Sequence, residues 1–164
     1  MKRVSKALCL ILVLVLALSF TACSSDELVQ YDSATGLSIM MPKGFEEADM
    51  AGFTTTFQKR DLAVFALNEK LSDIVSYGFD ENITLQEYTD IITTGNGYAA
   101  STTNEYGDLY FTYESTVEGQ DYFYYATTLE GSDGFWFVNF VCFSEEQDKY
   151  LPLFMEWAST MEAA

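Results

Sequence analysis

The spacing of apolar and polar positions changes twice along the chain. Four short strand-like runs, separated by turn residues, occupy residues 28–31, 37–41, 53–57 and 62–67. Thr84-Leu85-Gln86-Glu87 then fits a capping box, and the apolar residues that follow fall at helical spacing until Gly95-Asn96-Gly97. The pattern therefore predicts strands followed by an amphipathic helix.

The C-terminal half returns to strand-like runs and ends in a helix. The runs cover residues 98–105, 109–117, 122–129 and 135–143, and turn residues between them predict an antiparallel meander. Residues 135–143 are apolar on both faces except at Asn139, which predicts a central strand with a covered second face. A last helix is predicted from Asp148. The fold class expected from this order is α+β, an antiparallel sheet with helices packed on it.

The first residues have the pattern of a signal peptide. Lys2, Arg3 and Lys6 precede an apolar run, and the sixteen residues before Cys23 are fewer than the about 20 that a membrane helix needs. Phe20-Thr21-Ala22-Cys23 resembles the end of a bacterial lipoprotein signal, although that family prefers Leu where this chain has Phe20. The resemblance implies that Cys23 is acylated, for example with palmitate, and becomes the first mature residue.

These boundaries divide the chain into three parts. We expect residues 1–22 to be a lipoprotein signal peptide, residues 23–27 a short lipidated linker, and residues 28–164 a single domain. The expected location is the bacterial cell membrane, with the domain anchored by lipid on its extracytoplasmic side.

The expected mature chain is strongly acidic. All 25 acidic residues but only five of the eight basic residues follow Cys23, so its net charge is −20. Such a surface repels phosphate backbones over a Debye length of about 8 Å, which excludes nucleic acid as a partner. Solubility on a crowded envelope explains the acidity best, and binding of a cation or cationic partner is the alternative.

Several chemistries are excluded by missing residue types. The chain has no histidine, so Ser-His-Asp and Cys-His catalysis and histidine zinc sites cannot form. Cys142 has no disulfide partner once Cys9 is removed and Cys23 is acylated, and its apolar surroundings predict a buried thiol. No catalytic motif is identified, and we expect a protein that is not an enzyme.

No cofactor or metal site is predicted either. The segment 95–100 matches a form of the dinucleotide-binding loop, but it ends a helix instead of opening one. Acidic clusters at residues 46–49, 80–82 and 145–148 lack the spacing of a calcium loop and fit solvated helix caps better. Their spacing alone does not decide whether they bind Ca²⁺.

Three tyrosines are the candidate ligand-facing residues. Tyr110 is expected on one sheet face, and Tyr122 and Tyr124 are expected to face the same way from the neighbouring strand. An open face would form a platform for stacking a sugar or peptide. If helices cover this face instead, the three side chains belong to the core, which is the interpretation that we favour.

The order of elements resembles one known superfamily. Gly36-Leu37-Ser38-Ile39, Pro42-Lys43-Gly44-Phe45, Gly119-Gln120-Asp121-Tyr122 and Asp133-Gly134-Phe135-Trp136 resemble the PsbP/DcrB-like lipoproteins, whose namesake is an extrinsic protein of photosystem II. The resemblance implies an α/β/α sandwich, usually without catalysis, that assists or stabilises larger assemblies. We therefore expect a lipid-anchored envelope protein that binds a protein or a cell-wall-associated partner, and the alternative is a binding module for a sugar, peptide or cation.

The first testable prediction concerns Cys23. Cys23→Ala is expected to abolish incorporation of radiolabelled palmitate and to leave the protein unprocessed or released, because acyl chains supply the anchor. Fractionation of cells with a high-salt wash measures this. Retention of a cleaved Cys23→Ala protein in the washed membranes would contradict it and would indicate attachment through a partner.

Overall fold

The computed structural model describes residues 27–164, and the expected signal peptide and Cys23 lie outside the described residues. Ten strands are present in the described part: β1 (Leu28–Asp32), β2 (Leu37–Pro42), β3 (Glu46–Glu47), β4 (Thr55–Lys59), β5 (Leu62–Lys70), β6 (Thr102–Thr103), β7 (Leu109–Val117), β8 (Gln120–Glu130), β9 (Gly134–Phe143) and β10 (Glu162–Ala163). The helices are α1 (Leu71–Ser76), α2 (Leu85–Asn96) and α3 (Gln147–Ala158), and a 3₁₀ turn at Ser144–Glu146 leads into α3. Among residues 27–164, no helix has the length and apolar character needed to cross a membrane.

Two antiparallel sheets form the domain. The larger has seven strands in the order β3-β4-β5-β9-β8-β7-β6, and the smaller has three in the order β1-β2-β10. The inner face of the large sheet packs against α3 and the small sheet, and α1 and α2 lie against its outer face. These layers confirm the predicted α+β fold class.

The main core lies between the inner face of the large sheet, α3 and the small sheet. Phe140 on β9 contacts Phe154 and Trp157 on α3, with ring centroids 5.6 and 6.5 Å apart. Ile39 and Met41 of β2 are fully buried in the same cluster. Apolar side chains on alternate positions of β2 and β9 thus meet one face of an amphipathic helix.

The start of α2 follows the sequence pattern. The Thr84 hydroxyl accepts a hydrogen bond from the amide of Glu87 (3.2 Å), and the Glu87 carboxylate accepts one from the amide of Thr84 (2.9 Å). The bond from the Thr84 amide, and next a bond of 2.8 Å from the Thr84 hydroxyl to the same carboxylate, holds the pKa of Glu87 below its usual value. At the other end Gly97 adopts the left-handed conformation with φ of 71°, so the predicted capping box and helix stop are confirmed.

Three parts of the topology differ from the sequence prediction. The first hairpin belongs to the separate small sheet, which β10 completes by pairing Glu162 with Ser38. Instead of a strand over residues 98–105, only Thr102–Thr103 pairs with β7, because Tyr98 lies across the sheet face and stacks on Phe111 and Tyr113. The strand of the third run also begins later than predicted, because β4 starts at Thr55 instead of residue 53.

The aromatic contact between α3 and β9 predicts a large loss of stability on truncation. Phe154→Ala is expected to lower the free energy of unfolding by about 3–5 kcal/mol, because it leaves a cavity beside Phe140 and Trp157. Urea denaturation followed by circular dichroism measures the loss. Glu156→Ala, an exposed position on the same helix, is the matched control and is expected to change it by less than about 0.5 kcal/mol. Equal effects of the two substitutions would contradict this packing.

Candidate functional site

The outer face of the large sheet carries Tyr122 and Tyr124. Tyr122 lies opposite Phe143 on β9 and Tyr124 opposite Val141, so all four side chains share this face. The ring of Tyr124 also stacks on Tyr113 of β7, with centroids 4.5 Å apart and planes inclined by 8°. Pairing across three strands therefore assembles a continuous aromatic surface.

Tyr110 lies on the opposite face, so the predicted common face of the three tyrosines is wrong. It pairs with Thr127 and stacks on Tyr125 at 5.1 Å, against the main core. The hairpin between β7 and β8 has a two-residue loop, Glu118-Gly119, with both φ angles positive. Because the loop has two residues, each even-numbered residue of β7 pairs with an odd-numbered residue of β8. Tyr110 therefore shares a face with Thr127 and lies on the face away from Tyr122 and Tyr124.

The end of the outer face next to α1 and α2 is covered. Tyr88 of α2 stacks on Phe135 at 4.7 Å, and the hydroxyls of Thr89 and Thr128 are 2.6 Å apart in a buried hydrogen bond. Tyr98, in the segment after α2, stacks on Tyr113 at 4.3 Å. Beyond this point helices no longer cover the sheet.

The uncovered end of the outer face forms a concave surface that we call the aromatic groove. Its volume is about 470 Å³, within the range of small-ligand pockets. Four aromatic side chains form its floor: Phe65, Tyr122, Tyr124 and Phe143. Three polar side chains line its rim next to the β4–β5 turn: Gln58, Arg60 and Asp61. The groove combines stacking surfaces with hydrogen-bonding groups at one edge.

The hydroxyls of Tyr113 and Tyr124 stay protonated at physiological pH. Burial, and next the neighbouring Tyr98, raises the pKa of Tyr113, whose hydroxyl donates to Oδ1 of Asn139 at 2.9 Å. Burial, and next the nearby Tyr122, raises the pKa of Tyr124. Asn139, the single polar residue of the run 135–143, thus has a hydrogen-bond partner. Tyr124 presents a neutral ring and hydroxyl to the groove.

Arg60 occupies an unusual position at the rim. It is the first residue of the two-residue turn between Lys59 and Leu62, and its φ of 51° lies in the left-handed region, where a non-glycine residue costs about 1–3 kcal/mol. Its side chain borders the groove and makes no ion pair within residues 27–164. The turn therefore presents a cation beside the aromatic floor.

The groove does not have the geometry of a two-carboxylate hydrolase. Such enzymes place two carboxyl groups about 5–9.5 Å apart. Among the described residues that line the groove, Asp61 alone carries a carboxylate. The lining of the groove offers rings for stacking and polar groups for hydrogen bonds.

A second crevice lies between the helices and the sheet, and the sequence pattern did not indicate it. Its volume is about 380 Å³, and its walls include Phe79, Tyr88 and Phe137. The Tyr88 hydroxyl donates to the Glu69 carboxylate at 2.5 Å, and burial, with this bond, raises the pKa of Tyr88. Because this bond engages the Glu69 carboxylate, the crevice offers fewer free polar groups than the aromatic groove.

The three acidic clusters remain apart in the fold. Glu46 and Glu47 form β3, Asp80 caps the turn before α2 by accepting from the amide of Asn82 at 2.8 Å, and Glu145 and Glu146 lie in the 3₁₀ turn. Hydrogen bonds from Asn82 hold the pKa of Asp80 below its usual value. Within residues 27–164, no three acidic or cysteine side chains converge as a metal site would require.

The domain has an α+β fold, defined by its strand order and by the helices packed on its antiparallel sheets. It is similar to the solution structure of cyanobacterial PsbP from Synechocystis sp. PCC 6803, with 14% identity, a TM-score of 0.46, and coverage of 89% of this chain and 98% of that one. A crystal structure from Bacteroides thetaiotaomicron VPI-5482 is similar with 13% identity and a TM-score of 0.54.

These similarities concern fold alone. The Bacteroides comparison covers 84% of this chain but only 49% of the other, so the present chain matches about half of that protein. No protein-family model and no curated protein matches the chain. The class of the fold rests on the strand order and pairing observed here.

Cys142 provides a test of the interior beneath the groove. Its side chain is fully buried, as predicted, and burial raises the pKa of its thiol from 9.0 to about 11. Two pKa units reduce the reactive thiolate about a hundredfold at neutral pH, and burial slows access further. We expect modification of Cys142 by iodoacetamide at pH 8 to be at least about a hundredfold slower in the folded protein than in urea.

Mass spectrometry of the peptide that contains Cys142 measures both rates. Raising the pH towards 11 is expected to accelerate the reaction while the fold persists, because the thiolate becomes populated. Equal rates in the folded and unfolded protein at pH 8 would contradict the buried position of this thiol.

Proposed function

We propose that the chain is a non-catalytic, lipid-anchored protein of the bacterial cell envelope that binds or stabilises a protein or cell-wall-associated partner. The observation that supports this is the aromatic groove, an open apolar surface at the end of the outer sheet face that the helices leave uncovered. Exposed aromatic surfaces of this kind are typical of binding sites, because burying them on association releases water from apolar area. The proposed partner would contact the groove through Tyr122 and Tyr124.

The shape of the outer face supports binding there. Phe53, whose side chain is 39% exposed, stacks on Phe65 at 4.9 Å and extends the aromatic surface beyond the groove. Aromatic residues and arginine are enriched at the centres of protein interfaces, and Arg60 stands at the rim. The same surface thus combines the residue types that contribute most to association.

The lipid anchor is proposed from the N-terminal pattern. Cys23 precedes Glu27 by four residues, so an acylated Cys23 would hold the domain close to the membrane surface. A partner of the groove would then be a component of the envelope. The missing histidine and the single carboxylate in the groove support a role without catalysis.

Binding of a small ligand is the second candidate. The volume of about 470 Å³ suits a sugar ring or a short peptide, and tyrosine rings stack on both. Gln58 and Asp61 would accept or donate the hydrogen bonds that fix its orientation. In this case purified protein would bind the molecule without any protein partner.

The groove proposal predicts that single substitutions remove partner capture. Tyr122→Ala and Tyr124→Ala are each expected to reduce crosslinking to envelope partners in intact cells by roughly tenfold, the effect of truncating an interface residue that contributes more than about 1 kcal/mol. Quantitative mass spectrometry after crosslinking measures this. Tyr77→Ala is the matched control, because Tyr77 is 78% exposed and lies outside the groove.

Three outcomes separate the candidates. Partners lost in both groove variants and in Cys23→Ala, but kept in Tyr77→Ala, support the proposal. Partners lost in Cys23→Ala and kept in both groove variants would show that another surface binds. If no partner depends on any of the substitutions, the proposal of partner binding is wrong. A muropeptide that shifts the melting temperature of the unsubstituted protein, but not that of the groove variants, would then support the small-ligand candidate.

A further inference from the structure

One edge of the large sheet is largely unpaired along β7. The short strand β6 covers only the start of that edge, where Thr102 pairs with Tyr110 and Thr103 with Leu109. Within residues 27–164, no strand pairs with this side of β7 beyond Tyr110, and residues 114–117 are exposed to solvent. We call residues 112–117, seen from this side, the free edge.

The hairpin between β7 and β8 fixes which backbone groups point out from the free edge. Val117 and Gln120 flank its two-residue loop and form a hydrogen-bonded pair, and such pairs alternate along an antiparallel ladder. Every second residue of β7 therefore bonds to β8, and the residues between direct their amides and carbonyls away from it. Tyr110 belongs to this outward series and pairs with β6. The outward residues of the free edge are Thr112, Glu114 and Thr116.

The free edge borders the aromatic groove. Val117 lines the groove, and Tyr113 stacks on Tyr124 of its floor. Odd-numbered side chains of β7 thus lie on the groove side of the sheet, and even-numbered ones lie on the other side. A strand added at the free edge would lie about 4.8 Å from β7, and its alternate side chains would pack on Tyr113 and Val117.

The charged side chains around the free edge are acidic. Glu114 lies on the edge, Glu118 lies in the hairpin loop, and Asp121 follows at the start of β8. Within the described part of the chain, none of these three carboxylates makes an ion pair. Cross-strand pairs of opposite charge stabilise a sheet, so a strand that carries lysine or arginine is complementary to this edge.

A second copy of the same chain is a poor occupant of the free edge. The two-fold antiparallel pairing that aligns the outward groups of both copies is centred on Glu114. It would place Glu114 opposite its own counterpart, with Cα atoms about 5.5 Å apart, and like charges directly opposite destabilise a sheet. The net charge of −20 on the expected mature chain adds general repulsion between copies.

We propose that the free edge of β7 binds an extended, cationic segment of a partner protein by strand addition. The main chain of the segment hydrogen-bonds to Thr112, Glu114 and Thr116. Its lysine or arginine side chains lie beside Glu114, and its alternate apolar side chains pack at the border of the groove. In this mode of recognition main-chain bonds supply affinity and alternate side chains supply specificity. The inference rests on the proposed function, because it names the class of partner that this end of the domain receives.

The test uses a defined peptide instead of an unidentified partner. A fluorescent octapeptide of alternating lysine and valine, with capped ends, is titrated with the purified full-length protein and followed by fluorescence anisotropy. The control peptide is N-methylated at every residue, so it keeps the side chains and the charge but has no amide donors. We expect saturable binding of the first peptide and at least about tenfold weaker binding of the second, because strand addition requires main-chain hydrogen bonds.

Two pairs of variants locate the binding surface. Thr116→Pro removes an outward amide, which an edge strand tolerates, and Thr116→Val is its control, because both lose the hydroxyl that donates to Oδ1 of Asp121 at 2.5 Å. We expect about tenfold weaker peptide binding in Thr116→Pro than in Thr116→Val. Glu114→Lys keeps the backbone intact and is expected to weaken binding roughly fivefold. Glu156→Lys, the same change of charge at an exposed position on α3, is expected to leave binding nearly unchanged.

Amide hydrogen exchange measured by NMR gives a second readout. Saturating peptide is expected to slow exchange of the Glu114 and Thr116 amides at least about tenfold, because these amides gain hydrogen bonds. The Ser115 and Val117 amides already bond to β8, so their exchange is expected to change little. Protection of the outward amides by the alternating peptide, but not by the N-methylated one, supports strand addition.

Three results would overturn the inference. They are a Kd weaker than about 1 mM for the alternating peptide, equal affinities for the two peptides, and equal losses of affinity in Glu114→Lys and Glu156→Lys. The second and third would show attraction by net charge alone. Each leaves the proposed function standing if Tyr122→Ala and Tyr124→Ala still remove crosslinked partners in cells. Failure of the proposed function has a different signature, in which no crosslinked partner depends on either tyrosine although the purified protein binds the peptide at the free edge.

Discussion

The fold depends on covering both faces of β9. This strand is apolar on each side, and it lies in the middle of the large sheet between β5 and β8. A strand buried on both faces needs a layer on each side, because an uncovered apolar face costs free energy in water. Phe154 and Trp157 of α3 cover the inner side, and Tyr88 of α2 covers Phe135 on the outer side. At its first residue, Gly134, a Cβ atom would lie 2.1 Å from the carbonyl oxygen of Glu69, so the approach of β9 to β5 requires glycine.

The aromatic groove follows from the lengths of the elements. The twelve residues of α2 span about 18 Å, whereas the eleven residues of β8 span about 36 Å. One helix of this length cannot cover the whole outer face. The uncovered part retains aromatic side chains instead of the polar ones that a solvated face usually carries. The combination of a short helix and an apolar face gives the domain its concave surface.

Arg60 lies between the aromatic groove and the other basic side chains near the β4–β5 turn. The β4–β5 turn holds this arginine at a positive φ, between the aromatic floor and the cations Lys43 and Lys59. Elsewhere the surface is dominated by carboxylates, which favour solubility. Four of the five basic residues in the described part lie around this turn, and the carboxylates of Glu46, Glu47, Asp61 and Glu146 border them.

The sequence by itself determined most elements and the face alternation within each strand, because both depend on neighbouring residues. The capping box at Thr84 and the apolar run of β9 are local signals of this kind. Local signals do not specify which residues of two strands lie opposite each other. For that reason the predicted sheet face of Tyr110 is wrong. Nor did they indicate that Tyr98 crosses the sheet, that β10 joins β2, or that Lys43, Lys59 and Lys149 meet at one end. Only the tertiary structure decided these points, because they depend on pairing and packing between residues far apart in the chain.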